Sequence, residues 1–144
     1  MRWIIIPAMV VIAVAAAPKK AELPSPLEVL VARSELVISA KIKGKPVTLV
    51  TDLGTLHYIF LFEQVKVLHG SHDGLTSMTA ALERPEYEGE QLAHFVDGAE
   101  CIVFLNKPNK NVPKMWRVSD RWFGVQPMNR QMASRIQGIS RRLP

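Results

Sequence analysis

Apolar and polar residues alternate with a period of two over much of the chain, which predicts a protein built mainly of β-strands. Residues 36–42 show the pattern most clearly, because every second residue is apolar and a Gly-Lys-Pro turn follows at Gly44. Residues 100–105 are apolar at almost every position, which predicts a strand buried on both faces. Further strands are predicted over 47–53, 56–68, 75–82 and 115–125, and the last range holds one strand or a pair.

The longest predicted strand, 56–68, is expected to bend. Between Tyr58 and Phe62 it is apolar on both faces, and its apolar positions then continue through Val65 and Val67 with Glu63 between them. The side chains of a regular strand alternate strictly between two faces. This continuation therefore indicates one strand that serves two parts of a closed barrel.

A helical pattern flanks the strands at both ends. Ser25 suits an N-cap, Pro26 the first helical position and Glu28 the third, which together predict a short helix over 26–33. Near the carboxyl end, apolar residues recur at spacings of three and four, the pattern of an amphipathic helix. These residues are Met128, Met132, Ile136, Ile139 and Leu143.

Closely spaced strands between two helices predict a small five- or six-stranded barrel, closed or partly closed, of the OB-like (oligonucleotide/oligosaccharide-binding) type. A two-sheet β-sandwich is the alternative. No internal repeat is evident, so residues 26–144 are predicted to form a single domain that carries a short N-terminal helix and a C-terminal amphipathic helix.

These segments resemble a group of exported bacterial proteins of unknown function whose OB-like barrel is related in shape to netrin and metalloprotease-inhibitor modules. The resemblance covers roughly two thirds of the chain beyond the export signal and lies in the helix, strand and turn patterns of 27–42, 58–70, 95–105 and 122–127. It departs from the family's usual residues at His69, Ala99 and Cys101. The resemblance implies a barrel and export, and it carries over no catalytic or ligand residue. The inhibitor modules' amino-terminal cysteine is absent, so metal-chelating protease inhibition is not implied.

Residues 1–17 predict an export signal peptide. The segment starts with a positive charge at Arg2, continues as an apolar run and ends in small residues. Cleavage is expected after Ala15 or after Ala17. The site after Ala15 is favoured, because cleavage after Ala17 would place Pro18 at the first mature position, where proline slows the peptidase. The protein is therefore expected to be periplasmic or extracellular.

A membrane anchor is the alternative interpretation of this segment. A membrane-spanning helix takes about 20 apolar residues, whereas this run is shorter and is interrupted by Pro7. Residues 18–25 are predicted to be a flexible leader. Export brings the single cysteine, Cys101, into an oxidising compartment, where its apolar neighbours predict a buried thiol rather than a reactive one.

The net charge of +5 is unevenly distributed. Residues 83–100 carry a balance of −5 and residues 107–144 a balance of +8. Such asymmetry can steer an acidic partner or an anionic lipid to the basic end. The alternative is that the two segments face each other or simply solvate the surface. Export makes intracellular nucleic acid an unexpected target for this basic chain.

One cluster combines aromatic rings with arginines, a combination that stacks on sugars or bases and holds anions. The alternative is that its aromatic residues belong to the core. The cluster consists of Trp116, Arg117, Arg121, Trp122 and Phe123.

A second cluster, His69, His72 and Asp73, is the only compact set of metal-capable residues in the sequence. Two imidazoles three residues apart can share a zinc or copper ion, with further ligands supplied from elsewhere. The alternative is a solvated turn, because glycines lie on both sides. No cofactor is expected, and neither a Gly-x-Ser-x-Gly motif nor a phosphate-binding glycine loop occurs.

These features predict an exported binding or interaction domain without catalytic activity, with an envelope protein or a polyanionic polymer as its partner. One alternative is an accessory protein held at the membrane surface through the basic helix at 128–143. Another is a hydrolase whose site the sequence motifs do not reveal. The oligomeric state is left open.

Overall fold

The computed structural model describes residues 25–50, 54–72, 74–85, 95–108 and 115–144. Within these residues the chain forms two helices, α1 (Pro26–Arg33) and α2 (Arg130–Arg142). The strands are β1 (Leu36–Ile42), β2 (Val47–Val50), β3 (Thr55–His69), β4 (Ser77–Pro85), β5 (Glu100–Asn106), β6 (Trp116–Val118) and β7 (Val125–Pro127).

Five of the strands close into a barrel in the order β1, β3, β4, β6, β5 and back to β1. All of these pairs are antiparallel except β4 with β6, which is parallel. Strand β2 pairs with β3, and β7 pairs with β5. The predicted mainly β barrel with a short first helix and a C-terminal helix is therefore confirmed, and the sandwich alternative is wrong.

An aromatic cluster fills the inside of the barrel. Phe60, Phe62 and Phe95 are almost completely buried, and Tyr58 is 3% exposed. The rings of Phe60 and Phe62 stack at 5.3 Å, and Phe95 meets Phe60 edge to face at 4.9 Å. Both arrangements are preferred geometries for aromatic pairs, so packing fixes these side chains.

The expected bend in β3 is a β-bulge. Ser39 of β1 pairs with Lys66, but Lys41, two residues on, pairs with Glu63, so β3 has one extra residue between them; a second register shift lies between Val37 and Ile38. Gln64 lies between Glu63 and Lys66 and is the one described non-glycine residue with a positive φ, at 53°. Such a bulge bends a strand and changes which alternate residues face the core, so Val65 and Val67 pack against the same core as Phe60 and Phe62.

The two faces of β5 contact two different cores. Cys101 and Val103 point into the barrel, whereas Ile102 and Phe104 belong to an outer cluster. That outer cluster also holds the buried apolar face of α2, including Ile136. The predicted double burial of this strand is confirmed, and the apolar face of the C-terminal helix packs on the barrel.

Both helices begin at side-chain caps. Ser25 Oγ accepts a hydrogen bond from Glu28 N at 3.2 Å, as the sequence predicts. Asn129 Oδ1 accepts one from Met132 N at 3.1 Å, which explains why α2 starts at Arg130. A side-chain acceptor at this position satisfies a backbone donor that the first helical turn leaves unpaired.

Some predicted bounds differ from those observed. The strand predicted at 75–82 runs from Ser77 to Pro85. The range 115–125 divides into β6 and β7, because a hydrogen-bonded turn separates them. The predicted signal peptide at 1–17, nearly all of the leader and residues 51–53 lie outside the described residues. Within the described part of the chain, no helix has the length and apolar character needed to cross a bilayer.

Candidate functional site

The turn between β6 and β7, residues 119–124, is organised around one carboxylate. Asp120 Oδ1 accepts hydrogen bonds from Trp122 N at 2.9 Å and from Phe123 N at 2.8 Å. Gly124 N closes the turn on Asp120 O at 2.9 Å. We call residues 119–124 the aromatic turn. Its three closing bonds fix the direction in which Trp122 and Phe123 leave the backbone.

Strand β5 holds both ends of the aromatic turn. Ser119 N donates to Phe104 O, and Phe104 N donates to Gly124 O, each at 2.8 Å. A Cβ atom added at Gly124 would collide with the Val118 side chain and with the backbone of Asp120. Only glycine therefore fits where the turn closes against the barrel.

Helix α1 fixes the aromatic turn from the opposite side. Arg33 Nη2 donates to Ser119 O at 2.7 Å and lies 3.6 Å from Asp120 Oδ2. The hydroxyls of Ser34 and Ser119 are hydrogen-bonded at 2.8 Å. Gln126 Nε2 donates to Phe123 O at 2.7 Å. Together with the bonds from β5, hydrogen bonds from α1 and β7 therefore connect the turn to the rest of the fold.

The aromatic turn presents large apolar side chains to solvent. Trp122 is 42% exposed, Phe123 is 61% exposed and Arg121 is exposed as well. The alternative that Trp122 and Phe123 belong to the core is therefore wrong. Scattered exposed apolar residues are ordinary, but here two large aromatic side chains are adjacent on one turn beside an arginine, and tryptophan and arginine are enriched in binding hot spots.

An apolar groove lies beside the aromatic turn on the helix side. It encloses about 520 Å³ between α1, α2 and Phe123. Leu27, Val29, Leu30 and Met132 form much of its wall, and Arg33, Asp120, Gln126 and Arg135 are its polar residues. The aromatic turn and this groove together form a candidate binding surface, which we call the binding face. Its walls are mostly apolar, and two arginines lie among its polar residues.

A more polar cleft of about 360 Å³ lies on the barrel side of the same turn. Arg117 and Arg121 line it together with His57 and Glu83. Arg117 Nε donates to Lys107 O at 3.1 Å, which holds this guanidinium against the backbone. Both arginines of the predicted cluster, Arg117 and Arg121, therefore line this cleft, whereas neither lines the apolar groove.

Trp116 does not belong to the binding face. It is half-buried, packs against the inner core and has its ring centroid 5.6 Å from that of His72. The core alternative is therefore correct for this residue. Of the five predicted binding residues, the other four lie on the aromatic turn or in a cleft beside it.

The predicted metal-binding histidines have different partners. His69 Nδ1 is hydrogen-bonded to Ser140 Oγ of α2 at 2.6 Å, whereas the His72 ring contacts Trp116. Asp73 lies outside the described residues, so the complete trio stays a prediction. Among the residues that the structure describes, no three His, Cys, Asp or Glu side chains are grouped as metal ligands.

The single cysteine is buried as predicted. Cys101 has no exposed surface and lies in the inner core, 3.9 Å from Ala99 O. Burial raises the pKa of its thiol from 9.0 to about 11, because the interior disfavours the thiolate. A neutral, buried thiol is a poor nucleophile, so Cys101 is a packing residue.

Sequence reasoning missed the apolar groove. The available indication was Val29, which does not lie on the face of α1 that carries Leu30 and Val31 into the core. Val29 is 44% exposed and lines the groove. An apolar residue on the outer side of a surface helix was therefore the sign of a second apolar surface.

The described residues form a mainly β fold: a closed five-stranded barrel with two outer helices and an exposed aromatic turn. No protein-family model matches the chain, and no curated protein matches it significantly.

Proposed function

We propose that the protein is an exported binding domain without catalytic activity, and that its binding face holds a segment of an envelope protein. The observation that carries this proposal is the exposure of Trp122 and Phe123 on a turn fixed by hydrogen bonds. Binding usually has to order the side chains and loops of an interface, which lowers affinity. A turn that is already ordered avoids much of that cost.

The composition of the binding face suits a partner that is both apolar and acidic. Phe123 and Val29 supply exposed apolar surface, while Arg135 lies in the same groove. Asp120 is the groove's carboxylate, and Arg33 neutralises it at 3.6 Å. Arg121, exposed on the turn, adds positive charge. Complementary charge steers the encounter and sets orientation, so acidic residues beside apolar ones fit this face.

The membrane alternative has less support. The face of α2 that would enter a lipid headgroup region contains Ile136 and Ile139, and both are buried against the barrel. A peripheral helix binds lipid through an apolar face that is free to insert. Contact with a membrane would then depend on arginines alone, and an electrostatic contact of that kind weakens strongly with salt.

Site-specific photo-crosslinking in the cell tests the proposed partner class. A benzoylphenylalanine residue replaces Phe123 in the full-length chain, and the matched control carries it at Leu61, which is 41% exposed on β3. We expect a discrete protein adduct from position 123 and none from position 61. Adducts only with lipid or polymer, or equal adducts from both positions, would overturn the proposal.

Export is tested by the mass of the protein recovered from the cell envelope fraction. We expect a mature chain that begins at Ala16 or Pro18, after removal of the predicted signal peptide. A chain recovered from the cytoplasm with its first seventeen residues intact would contradict export. Because this experiment does not involve the binding face, it tests the export of the protein separately from its binding to a partner.

A further inference from the structure

Among the described residues, strand β2 is paired along one edge, and its other edge is open. Its four residues pair with β3, from Val47 opposite Ile59 to Val50 opposite Leu56. Within the described part of the chain, no other strand pairs with β2. Because successive residues of a strand direct their N–H and C=O groups to alternate sides, the outer edge offers unpaired donors and acceptors in the spacing of a β-ladder.

The side chains of β2 are exposed on both faces of the strand. Val47 is 55% exposed, Leu49 is 51% exposed and Val50 is 58% exposed, and Thr48 is exposed between them. No other described strand has this pattern. Proteins commonly protect open edges from pairing with charges or bulges, but these four positions carry no charge.

The chain entering β2 is held in place. Lys43 N donates to Leu61 O at 2.8 Å, and Gly44 N donates to Asp97 Oδ1 at 2.7 Å. Gly44 adopts a φ of 75°, which glycine reaches without strain. The two hydrogen bonds anchor the start of β2 to the barrel, so its open edge has a defined position.

We propose that the open edge of β2 accepts an extended segment of a partner protein as an additional strand. Strand addition uses backbone hydrogen bonds for affinity and alternate side chains for selectivity. This site is separate from the binding face and does not depend on its function. The surface thus offers a second, different kind of protein contact.

The size and charge of this edge favour an extended segment over a second copy of the chain. A stable interface between folded proteins takes about 20 to 30 residues from each side, whereas β2 supplies four. A single flexible strand can use so small an edge. Lys43 and Lys45 are exposed at its start, so the segment that fits carries an acidic residue near that end and apolar residues beyond it.

The proposal is tested with a synthetic peptide as a strand probe. The probe has alternating valine and threonine with a glutamate at one end, and it is titrated into the isotope-labelled full domain. We expect amide shifts confined to residues 43–50 and slower hydrogen exchange at alternate β2 amides. A peptide N-methylated at alternate positions, which cannot complete a ladder, serves as the control and is expected to leave the spectrum unchanged.

Charge reversal sharpens this test. Lys45→Glu is expected to weaken binding of the glutamate peptide by about threefold, the scale of an exposed ion pair. A peptide with lysine in place of glutamate is expected to restore it. Shifts at the 119–124 turn instead of β2, no shifts at millimolar probe, or dimerisation that Leu49→Lys abolishes would overturn the proposal.

Discussion

The protein has aromatic residues in two contrasting environments. Phe60 and Phe62 are fully buried inside the barrel, where ring packing holds them. Trp122 and Phe123 are exposed on the aromatic turn, where hydrogen bonds to their backbone hold them. The difference shows that hydrogen bonds, and not burial of the rings, position the backbone of the aromatic turn.

The largest expected contrast is in stability. Phe60→Ala removes a ring that contacts both Phe62 and Phe95, and we expect a loss of about 3–5 kcal/mol in the free energy of unfolding. Phe123→Ala is expected to change it by less than about 0.5 kcal/mol. Urea unfolding followed by circular dichroism measures both. Equal losses would mean that Phe123 is a core residue.

A pair of glycine substitutions tests whether the turn is tightly fitted to the barrel. Gly124→Ala places a Cβ against Val118 and Asp120, so we expect a loss of about 1–3 kcal/mol from overpacking. Gly138→Ala is the matched control in α2, where an added Cβ meets nothing within 4 Å. This change is expected to stabilise the helix by about 0.5–1 kcal/mol. A tolerated alanine at Gly124 would contradict the close fit.

Removal of the Asp120 carboxylate tests whether hydrogen bonds hold the aromatic turn independently of the barrel core. Asp120→Ala deletes the acceptor for Trp122 N and Phe123 N, and we expect a loss of about 1–2 kcal/mol. Amide exchange at these two residues is expected to accelerate, while Phe62 in the barrel is unaffected. Asp97→Ala, which removes one bond to Gly44 N, is the control. Unchanged exchange at the turn would show that the carboxylate does not hold it.

The last prediction concerns the pH dependence that the buried thiol causes. Burial raises the pKa of Cys101 to about 11 in the folded protein, whereas 9.0 is its ordinary value. The folded state therefore favours the protonated thiol, and its contribution to stability is complete below pH 9 and is lost as the pH rises through 11. We expect Cys101→Ala to show a smaller fall in stability over this window. Rapid labelling of native Cys101 at pH 8 would contradict its burial.

The parts of the fold that follow from local patterns were predictable from the sequence. Alternation over β1 predicted a strand, and the apolar positions that continue through Val65 and Val67 predicted the bend in β3, because strand periodicity depends on near neighbours. The exposure of Phe123 was not predictable. It depends on bonds between residues distant in the chain, such as Arg33 with Ser119, and the same aromatic residues would suit a core equally well.

The open edge of β2 is a second feature that could not be predicted from the sequence. A strand was predicted over 47–53, but whether a strand lies between neighbours or at an edge depends on the topology. Among the described strands, β1 pairs with both β3 and β5, whereas β2 pairs with β3 alone. Sequence patterns identify the strands, whereas the order of pairing determines which surfaces remain available for partners.

The measurement that tests the central claim most directly is the affinity of the partner captured at position 123 for two variants of equal stability. Phe123→Ser removes a ring of the binding face, and Leu61→Ser removes an exposed apolar side chain from β3. We expect Phe123→Ser to cost about 2 kcal/mol or more, about thirtyfold in Kd, and Leu61→Ser to leave Kd unchanged. Equal affinities for the unmodified chain and Phe123→Ser would contradict the account.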